Sequence, residues 1–354
     1  MKRESAFDYL KMIAIIFVVI YHCTEFSFQP IQCWSFKEFG IYSAHSILAV
    51  CVPIFYLVNG YFLFKKEFSF KKHINKILHL VIILVSWSII RVIALMIITQ
   101  EQLSFFQIFT YALTLKKGWT NTLWFIGTLI GIYFIFPILK VSYDKDKKVF
   151  LLFLSGLCVS VFGNSFLNQI CTIGSTLLGH PIILENRNFF YVFGQLVGTY
   201  GFALSYFCLG GIITSIRQFL EKIKWKYRMC ISIFTIICCS LLLGYCGSIY
   251  SFNNGELWDL VWNGYSSVFT LFNVIAIYNL VDLIPINSKF VRIVGSNTMG
   301  IYLIHDIVGK FIVTLCPMFS RKIYIVPNTI CIFLISIVIT ELISKNYFIK
   351  KYLL

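Results

Sequence analysis

A lysine and a histidine lie inside an apolar run near the start of the chain, where ionisable side chains are costly to bury. The run 8–27 is long enough to predict a membrane-spanning helix, and it contains Lys11 and His22. Eleven residues are about three helical turns, so both side chains project from nearly the same face, roughly 16 Å apart along the axis. An imidazole at membrane depth is a candidate general base.

Each of these residues also has a simpler interpretation. Lys11 could extend to the lipid headgroups, and His22 could serve in helix packing or at the interface. Glu25, about one turn beyond His22, could orient the imidazole, or it could be a solvated loop residue. The sequence leaves these alternatives open.

A second histidine lies at membrane depth near the end of the chain. The apolar run 293–316 carries His305 with Asp306 beside it, and Ser296 and Tyr302 fall close to the face of His305. Adjacent helical residues do not face each other, so Asp306 need not contact His305. Two histidines at membrane depth favour a shared polar cavity over two unrelated positions in helix packing.

Two other apolar runs contain polar residues. Asn59 and Gly60 interrupt the run 46–64, which predicts either a tolerated kink or a local unwinding that directs backbone amides at a ligand. Arg91 lies deep in the run 74–99. We expect it to pair with an interior carboxylate or carbonyl, or to face a cavity.

A basic cluster and an aromatic residue complete the candidate functional residues. Lys72, His73 and Lys76 precede an apolar run, where they could bind phosphates or could anchor the chain at the inner membrane face. Trp124 opens the run 122–140, and aromatic residues at such positions usually belong to the interfacial belt.

Composition places these residues in a membrane protein. Of 354 residues, 58% are hydrophobic and only 13% are charged, which excludes an ordinary soluble globular domain. The 12 cysteines lie in apolar runs without metal-ligand spacing, so we interpret them as apolar fillers. A disulfide among Cys23, Cys33 and Cys171 is the alternative that the sequence leaves open.

The apolar runs predict an all-α, polytopic integral membrane protein with about ten transmembrane helices, in one transmembrane domain over 1–354. The predicted spans are 8–27, 46–64, 74–99, 122–140, 149–167, 190–213, 229–248, 261–283, 293–316 and 324–344. The longest predicted outer loops are 100–121 and 168–189.

The distribution of positive charge predicts the orientation. With the N-terminus inside, cytoplasmic segments hold 21 Lys and Arg residues and outer segments hold 6. This asymmetry predicts an N-in, C-in topology and an even number of spans. The basic excess is therefore a topology signal and not a nucleic-acid surface. It places Lys11 toward the cytoplasm, and His22 and His305 in the outer halves of their spans.

Four segments, in the right order along the chain, resemble the acyltransferase 3 family of integral-membrane acyltransferases, which includes bacterial surface-polysaccharide O-acetyltransferases. They are 7–11 with His22, 53–61, 123–125 with Tyr133 and Pro137, and 295–305. Lys11 stands where many members carry Arg. Lysine keeps the positive charge but cannot make the two parallel hydrogen bonds of a guanidinium group. Asn59 stands where Ser is commoner.

The resemblance implies a reaction. Acetyl-CoA, or another acyl-CoA, would donate from the cytoplasm, and a hydroxyl of a glycan or lipid-linked saccharide would accept, with His22 as general base. The catalytic set would include Glu25, Tyr302 and His305, with Tyr302, His305 or Asn59 stabilising the oxyanion. Donor-binding candidates are Lys11, Lys72, His73, Lys76 and Arg91, and acceptor-binding candidates are Asn59, Trp124 and Ser296.

The resemblance also sets expectations about partners and location. We expect no permanently bound cofactor and no metal, contacts with membrane lipids, and a multi-pass location in the bacterial cytoplasmic membrane. The sequence leaves formation of a homo-oligomer open. The main alternative is a polytopic transporter or flippase of a glycan intermediate, since ten spans with buried charges would suit that function too.

Overall fold

The computed structural model describes residues 5–24, 30–178, 200–257, 264–284 and 288–354, and within these residues the regular elements are helical. In chain order the α-helices are α1 (Ser5–Thr24), α2 (Phe36–Ser46), α3 (Cys51–Lys65), α4 (Phe70–Thr99), α5 (Phe105–Thr114), α6 (Trp124–Lys145), α7 (Lys147–Cys158), α8 (Asn164–Leu177), α9 (Gly201–Leu220), α10 (Trp225–Asn254), α11 (Val268–Asp282), α12 (Lys289–Leu315), α13 (Ile325–Lys345) and α14 (Tyr347–Leu353). A short 3₁₀ turn joins α2 to α3, and a π-helical turn joins α7 to α8.

The helices confirm the prediction of an all-α, polytopic membrane protein. Within the described residues, nine helical segments are long and apolar enough to cross a membrane, and each overlaps a predicted span. Residues 190–199 of the predicted span 190–213 lie outside the described residues. The remaining prediction, 261–283, coincides with α11, whose described part has 15 residues. Lipid offers no hydrogen-bond partners, so a spanning segment must pair its backbone groups internally, as a helix does.

The predicted outer loops contain more helix than expected. The segment 100–121 includes α5, which begins with a capping box in which Ser104 and Gln107 satisfy each other's backbone amides. The segment 168–189 begins inside α8, and its residues from 179 lie outside the described residues. Helix α5 has only 10 residues, which is too short to span a membrane, so a search for long apolar runs assigned this segment to a loop.

The chain forms two compact units, each assembled from separate segments. The first comprises Met1–Ala14, Phe28–Lys66 and Ser142–Ser288, and the second comprises Ile15–Ser27, Glu67–Val141 and Lys289–Leu354. All twelve cysteines are free, and three of them are exposed.

In the first unit, glycines allow α3 and α9 to pack very closely. A Cβ atom on Gly60 would lie 1.9 Å from the carbonyl oxygen of Phe207, and one on Gly210 would lie 2.2 Å from the carbonyl oxygen of Leu57. Small residues at helix crossings in membranes bring backbones together and increase van der Waals contact. Gly60 is therefore a packing residue.

Of the two alternatives for Asn59 and Gly60, a tolerated kink or a local unwinding, the structure excludes the unwinding. Helix α3 continues through both residues, and Asn59 Nδ2 donates to the carbonyl oxygen of Phe55, 2.9 Å away, one turn earlier. A glycine weakens an isolated helix, but close packing against α9 stabilises this one.

A polar cluster joins α9, α10 and α11 in the first unit. Arg228 donates to the side-chain oxygen of Asn279, at 2.9 Å from Nε and 2.6 Å from Nη2, and pairs with Asp282 at 3.1 Å. Arg217 approaches the same carboxylate at 3.2 Å. Because opposite charges and amide groups satisfy each other, the cluster ties these helices together.

The second unit is built around α4, α12 and α13. Gly300 of α12 lies against Thr340 of α13, where an added Cβ would approach the threonine methyl to 2.3 Å. Asn297 of α12 donates to Glu341 of α13. The indole nitrogen of Trp87 in α4 donates to the carbonyl oxygen of Leu353, 2.8 Å away, and so holds α14.

Candidate functional site

The second unit brings together the two histidines that were predicted to lie at membrane depth. The rings of His22 in α1 and His305 in α12 have centres 5.1 Å apart and are tilted by 47°. His305 is 2% exposed. Residues 283 positions apart in sequence therefore form one pair of imidazoles.

The hydrogen bonds of His305 determine which of its ring nitrogens carries hydrogen. Nδ1 lies 2.6 Å from the carbonyl oxygen of Tyr302 and 3.3 Å from that of Ile301. A carbonyl oxygen can only accept, so Nδ1 must carry the hydrogen in the neutral ring. Nε2 then presents a lone pair, and this buried atom has no hydrogen-bond partner among the described residues.

Tyr302 packs beside His305 and uses its hydroxyl elsewhere. Its ring centre lies 6.0 Å from that of His305 and 5.4 Å from that of Phe125. Its hydroxyl donates to the backbone carbonyl of Thr122. The donor hydrogens of Tyr302 and of neutral His305 are thus both directed at backbone carbonyls.

A buried ion pair lies one residue beyond His305. Arg91 of α4, with a side chain 3% exposed, pairs with Asp306, and its Nε donates to the carbonyl of Trp119. Lys310 Nζ lies 3.8 Å from the same carboxylate. Of the alternatives expected for Arg91, an interior carboxylate and a backbone carbonyl are therefore both present. Opposite charges in contact reduce the cost of removing each from water.

One loop supplies backbone acceptors to this region. Within the segment 116–123, the carbonyls of Gly118, Trp119 and Thr122 accept from Lys310, Arg91 and Tyr302 respectively, the first at 3.4 Å. The loop is therefore fixed to α4 and α12 beside the histidine pair. Trp124 follows immediately, at the start of α6, where it is half-buried.

Sequence reasoning did not select Asp306, Trp119 or Lys310 as site residues. A usable signal was present for Asp306 and Lys310, because charges of opposite sign in neighbouring spans tend to pair. Trp119 contributes through its backbone carbonyl, which no side-chain pattern could reveal.

A comparison of the sequence with known protein families identifies the family of the chain. A family model described as an acyltransferase domain matches residues 4–344. The chain belongs to the acyltransferase 3 family. Searches of curated proteins and of solved structures found no match. The membership confirms the resemblance of the four segments, and it makes the chain a multi-pass membrane acyltransferase.

The resemblance to acyltransferase 3 proteins predicted that basic residues bind the donor. Three of the predicted residues, Lys72, His73 and Lys76, lie at the start of α4. His73 is buried, with Nε2 2.7 Å from the carbonyl oxygen of Tyr133. Lys72 and Lys76 are exposed, and Lys76 Nζ lies 5.0 Å from the centre of the Tyr133 ring. Arg91, which was also predicted to bind the donor, lies about 22 Å farther along α4 than Lys76 and pairs with Asp306.

The other predicted site residues lie elsewhere. Lys11 and Asn59 belong to the first unit, where Lys11 Nζ lies 3.3 Å from the carboxylate of Asp8. Ser296 is exposed, about 14 Å before His305 along α12, and its hydroxyl donates to carbonyls of its own helix. Glu25 lies outside the described residues.

Proposed function

We propose that this acyltransferase 3 protein transfers acetyl from acetyl-CoA, bound from the cytoplasm, to a hydroxyl of a surface or lipid-linked glycan. The observation that carries the proposal is the pair formed by His22 and His305, with ring centres 5.1 Å apart. Imidazole is the side chain best suited to accept and return a proton near neutral pH. The proposed location is the bacterial cytoplasmic membrane.

His22 acts as the general base in this reaction. It takes the hydroxyl proton as the acceptor oxygen attacks the thioester carbonyl, so that a C–O bond forms and the C–S bond breaks. The coenzyme leaves as a thiolate and collects the proton from His22 or from water. General-base catalysis typically contributes about 10²–10⁴-fold to the rate. An acyl group carried briefly on the imidazole is a variant of this scheme.

The donor phosphates bind at the basic start of α4. Lys72 and Lys76 are exposed there and His73 is buried beside them, which suits a strongly anionic nucleotide. A thin pantetheine arm could then cross roughly half of a 30 Å hydrocarbon core toward His22. Lys11, whose Nζ lies 3.3 Å from the carboxylate of Asp8, remains an expectation of the family resemblance.

The acceptor approaches from the outer face or within the membrane. Trp124 begins α6 directly after the loop that holds Tyr302, so it is the best placed of the predicted acceptor-binding residues. Aromatic rings commonly stack on the apolar faces of sugars, and a half-buried indole offers such a face. Asn59 and Ser296 remain expectations of the family resemblance.

The proposal is tested by following labelled acetyl in membrane vesicles that contain the purified protein. Acetyl-CoA labelled in the acetyl group is supplied on the cytoplasmic side, and label is measured in the glycan fraction. We expect transfer by the wild type and loss of more than nine-tenths of it in His22→Ala. His79→Ala is the matched control, because His79 is a histidine of α4 outside the proposed site.

Two results would contradict the proposal. Movement of unmodified glycan across the vesicle membrane without acetyl transfer would identify a transporter or flippase. Activity of His22→Ala above about a tenth of the wild-type rate would remove His22 from the role of base. Mass spectrometry of surface glycans from a deletion strain and its parent would then identify the acceptor, by the loss of one acyl group.

A further inference from the structure

The lone pair on His305 Nε2 is the one feature of the histidine pair that general-base catalysis by His22 does not use. Nδ1 is held by the carbonyl oxygen of Tyr302 at 2.6 Å, so the ring cannot rotate freely and its neutral tautomer is fixed. Nε2 is buried without a hydrogen-bond partner among the described residues. A buried acceptor left unsatisfied is costly, so it is expected to meet a donor during function.

The charged groups near His305 are engaged with one another. Asp306 follows His305 in α12, but its carboxylate pairs with Arg91 of α4 and approaches Lys310 Nζ at 3.8 Å. Arg91 and Lys310 also donate to backbone carbonyls of the loop before α6. His22 of α1 is the ring nearest to His305 that can supply an N–H group.

The distance between the rings suits a direct hydrogen bond. Ring nitrogens lie on the perimeter, so centres 5.1 Å apart leave room for an N–H···N bond of about 3 Å between facing nitrogens. Hydrogen bonds of catalytic groups are often long or poorly aligned without substrate and shorten when it binds.

We propose that His305 is a positioning residue that accepts a hydrogen bond at Nε2 from the ring N–H of His22. The bond selects one tautomer of His22 and leaves its other nitrogen unprotonated toward the acceptor hydroxyl. When His22 takes the hydroxyl proton, both of its nitrogens carry hydrogen, and Nε2 of His305 then stabilises the imidazolium. The proton stays on His22 until the thiolate or water removes it, and His305 remains neutral throughout.

This role differs from the one expected from the sequence. Neutral His305 has no hydrogen on Nε2, and its Nδ1 hydrogen is directed at Tyr302, so it cannot stabilise an oxyanion as a donor. As an acceptor it performs the task that a buried carboxylate performs for the histidine of a hydrolase triad, with no charge of its own.

Two substitutions separate the acceptor from the donor of His305. His305→Asn keeps an N–H near the Nδ1 position, so the bond to Tyr302 can form, but it removes the acceptor at Nε2. His305→Gln places an amide oxygen near Nε2 and loses the donor to Tyr302. We expect His305→Gln to retain most of the wild-type kcat and His305→Asn to lose about 10²-fold, with the KM for acetyl-CoA little changed in both.

A purely structural role of His305 predicts the opposite order, because its structural bond is the one from Nδ1 to Tyr302. An asparagine variant that equals or exceeds the glutamine variant in kcat would therefore overturn the proposal. His79→Asn and His79→Gln serve as matched controls for the effect of replacing a histidine in the second unit.

A second measurement needs neither substrate nor turnover. The rate comparison rests on the proposed function, whereas the tautomer of His22 can be read by two-bond ¹H–¹⁵N correlation of ¹⁵N-histidine protein in lipid nanodiscs, assigned with His22→Gln. We expect one dominant tautomer of His22 in the wild type and in His305→Gln, and a mixture in His305→Asn. Equal populations of both tautomers in the wild type would overturn the proposal, even if the variants do not fold.

The two measurements fail in different ways. Wild-type protein that transfers no acetyl would contradict the proposed function, and the tautomer of His22 would still decide whether His305 positions it. Active protein whose His22 shows no tautomer preference would leave the proposed function intact and remove the role of His305.

Discussion

Arg91 of α4 and Asp306 of α12 form a buried ion pair in the second unit, although 215 residues separate them in sequence. The pair lies directly after His305 along α12, and Arg91 also donates to the carbonyl of Trp119. It therefore fixes two helices and the loop before α6 around the residue that we propose positions the base.

Replacing one partner of this pair should destabilise the protein more than replacing both. Asp306→Leu leaves Arg91 buried without a carboxylate, so we expect a loss of about 3–5 kcal/mol. Arg91→Leu should cost less, because Lys310 remains near Asp306 at 3.8 Å. The double variant Arg91→Leu/Asp306→Leu should recover part of the loss. Unfolding of the purified protein in detergent measures all four, and additive single effects would contradict a coupled pair.

Gly60 should not tolerate a methyl group. Gly60→Ala would place its Cβ 1.9 Å from the carbonyl oxygen of Phe207, so α3 and α9 must separate, at a cost of about 1–3 kcal/mol or more. Gly40→Ala in α2 of the same unit is the matched control, because open space surrounds that position and alanine favours helix. Thermal unfolding compares the two, and equal stability would contradict the close crossing.

The basic start of α4 should affect donor binding and not the chemical step. Lys72→Ala and Lys76→Ala should each raise the KM for acetyl-CoA several-fold with little change in kcat, since each removes a charge that binds substrate and transition state equally. The effect should weaken as salt screens the exposed charges. Lys148→Ala, an exposed lysine at the start of α7, should change neither constant. Initial rates at two ionic strengths decide this, and a fall in kcat alone would argue against a donor site.

The topology predicted from positive charges can be tested with reporter fusions. A fluorescent protein fused after residue 354 should fold and fluoresce in the cytoplasm, and alkaline phosphatase inserted within 116–121 should be active outside. The opposite pattern would invert the orientation and place the histidine pair in the inner half of the membrane. That result would separate the donor site from the charges that we assign to it.

The sequence determined which long segments become membrane-spanning helices, because long apolar runs leave the backbone no other way to satisfy its hydrogen bonds in lipid. It did not reveal the shorter helix α5, where a loop was predicted. It also determined the family, through four ordered motifs that the family match over 4–344 confirmed. It identified Arg91 as a residue in need of a buried partner. These conclusions depend on local composition and spacing, which a single chain displays directly.

Only the tertiary structure decided which distant residues meet. It paired Arg91 with Asp306 and His22 with His305, and it showed that Gly60 allows two helices to pack and does not unwind one. It also assigned the hydrogen of His305 to Nδ1, through a carbonyl that the side-chain sequence does not reveal. The physical reason is common to all of these: a costly buried charge or lone pair signals that a partner is needed, but long-range packing selects the partner.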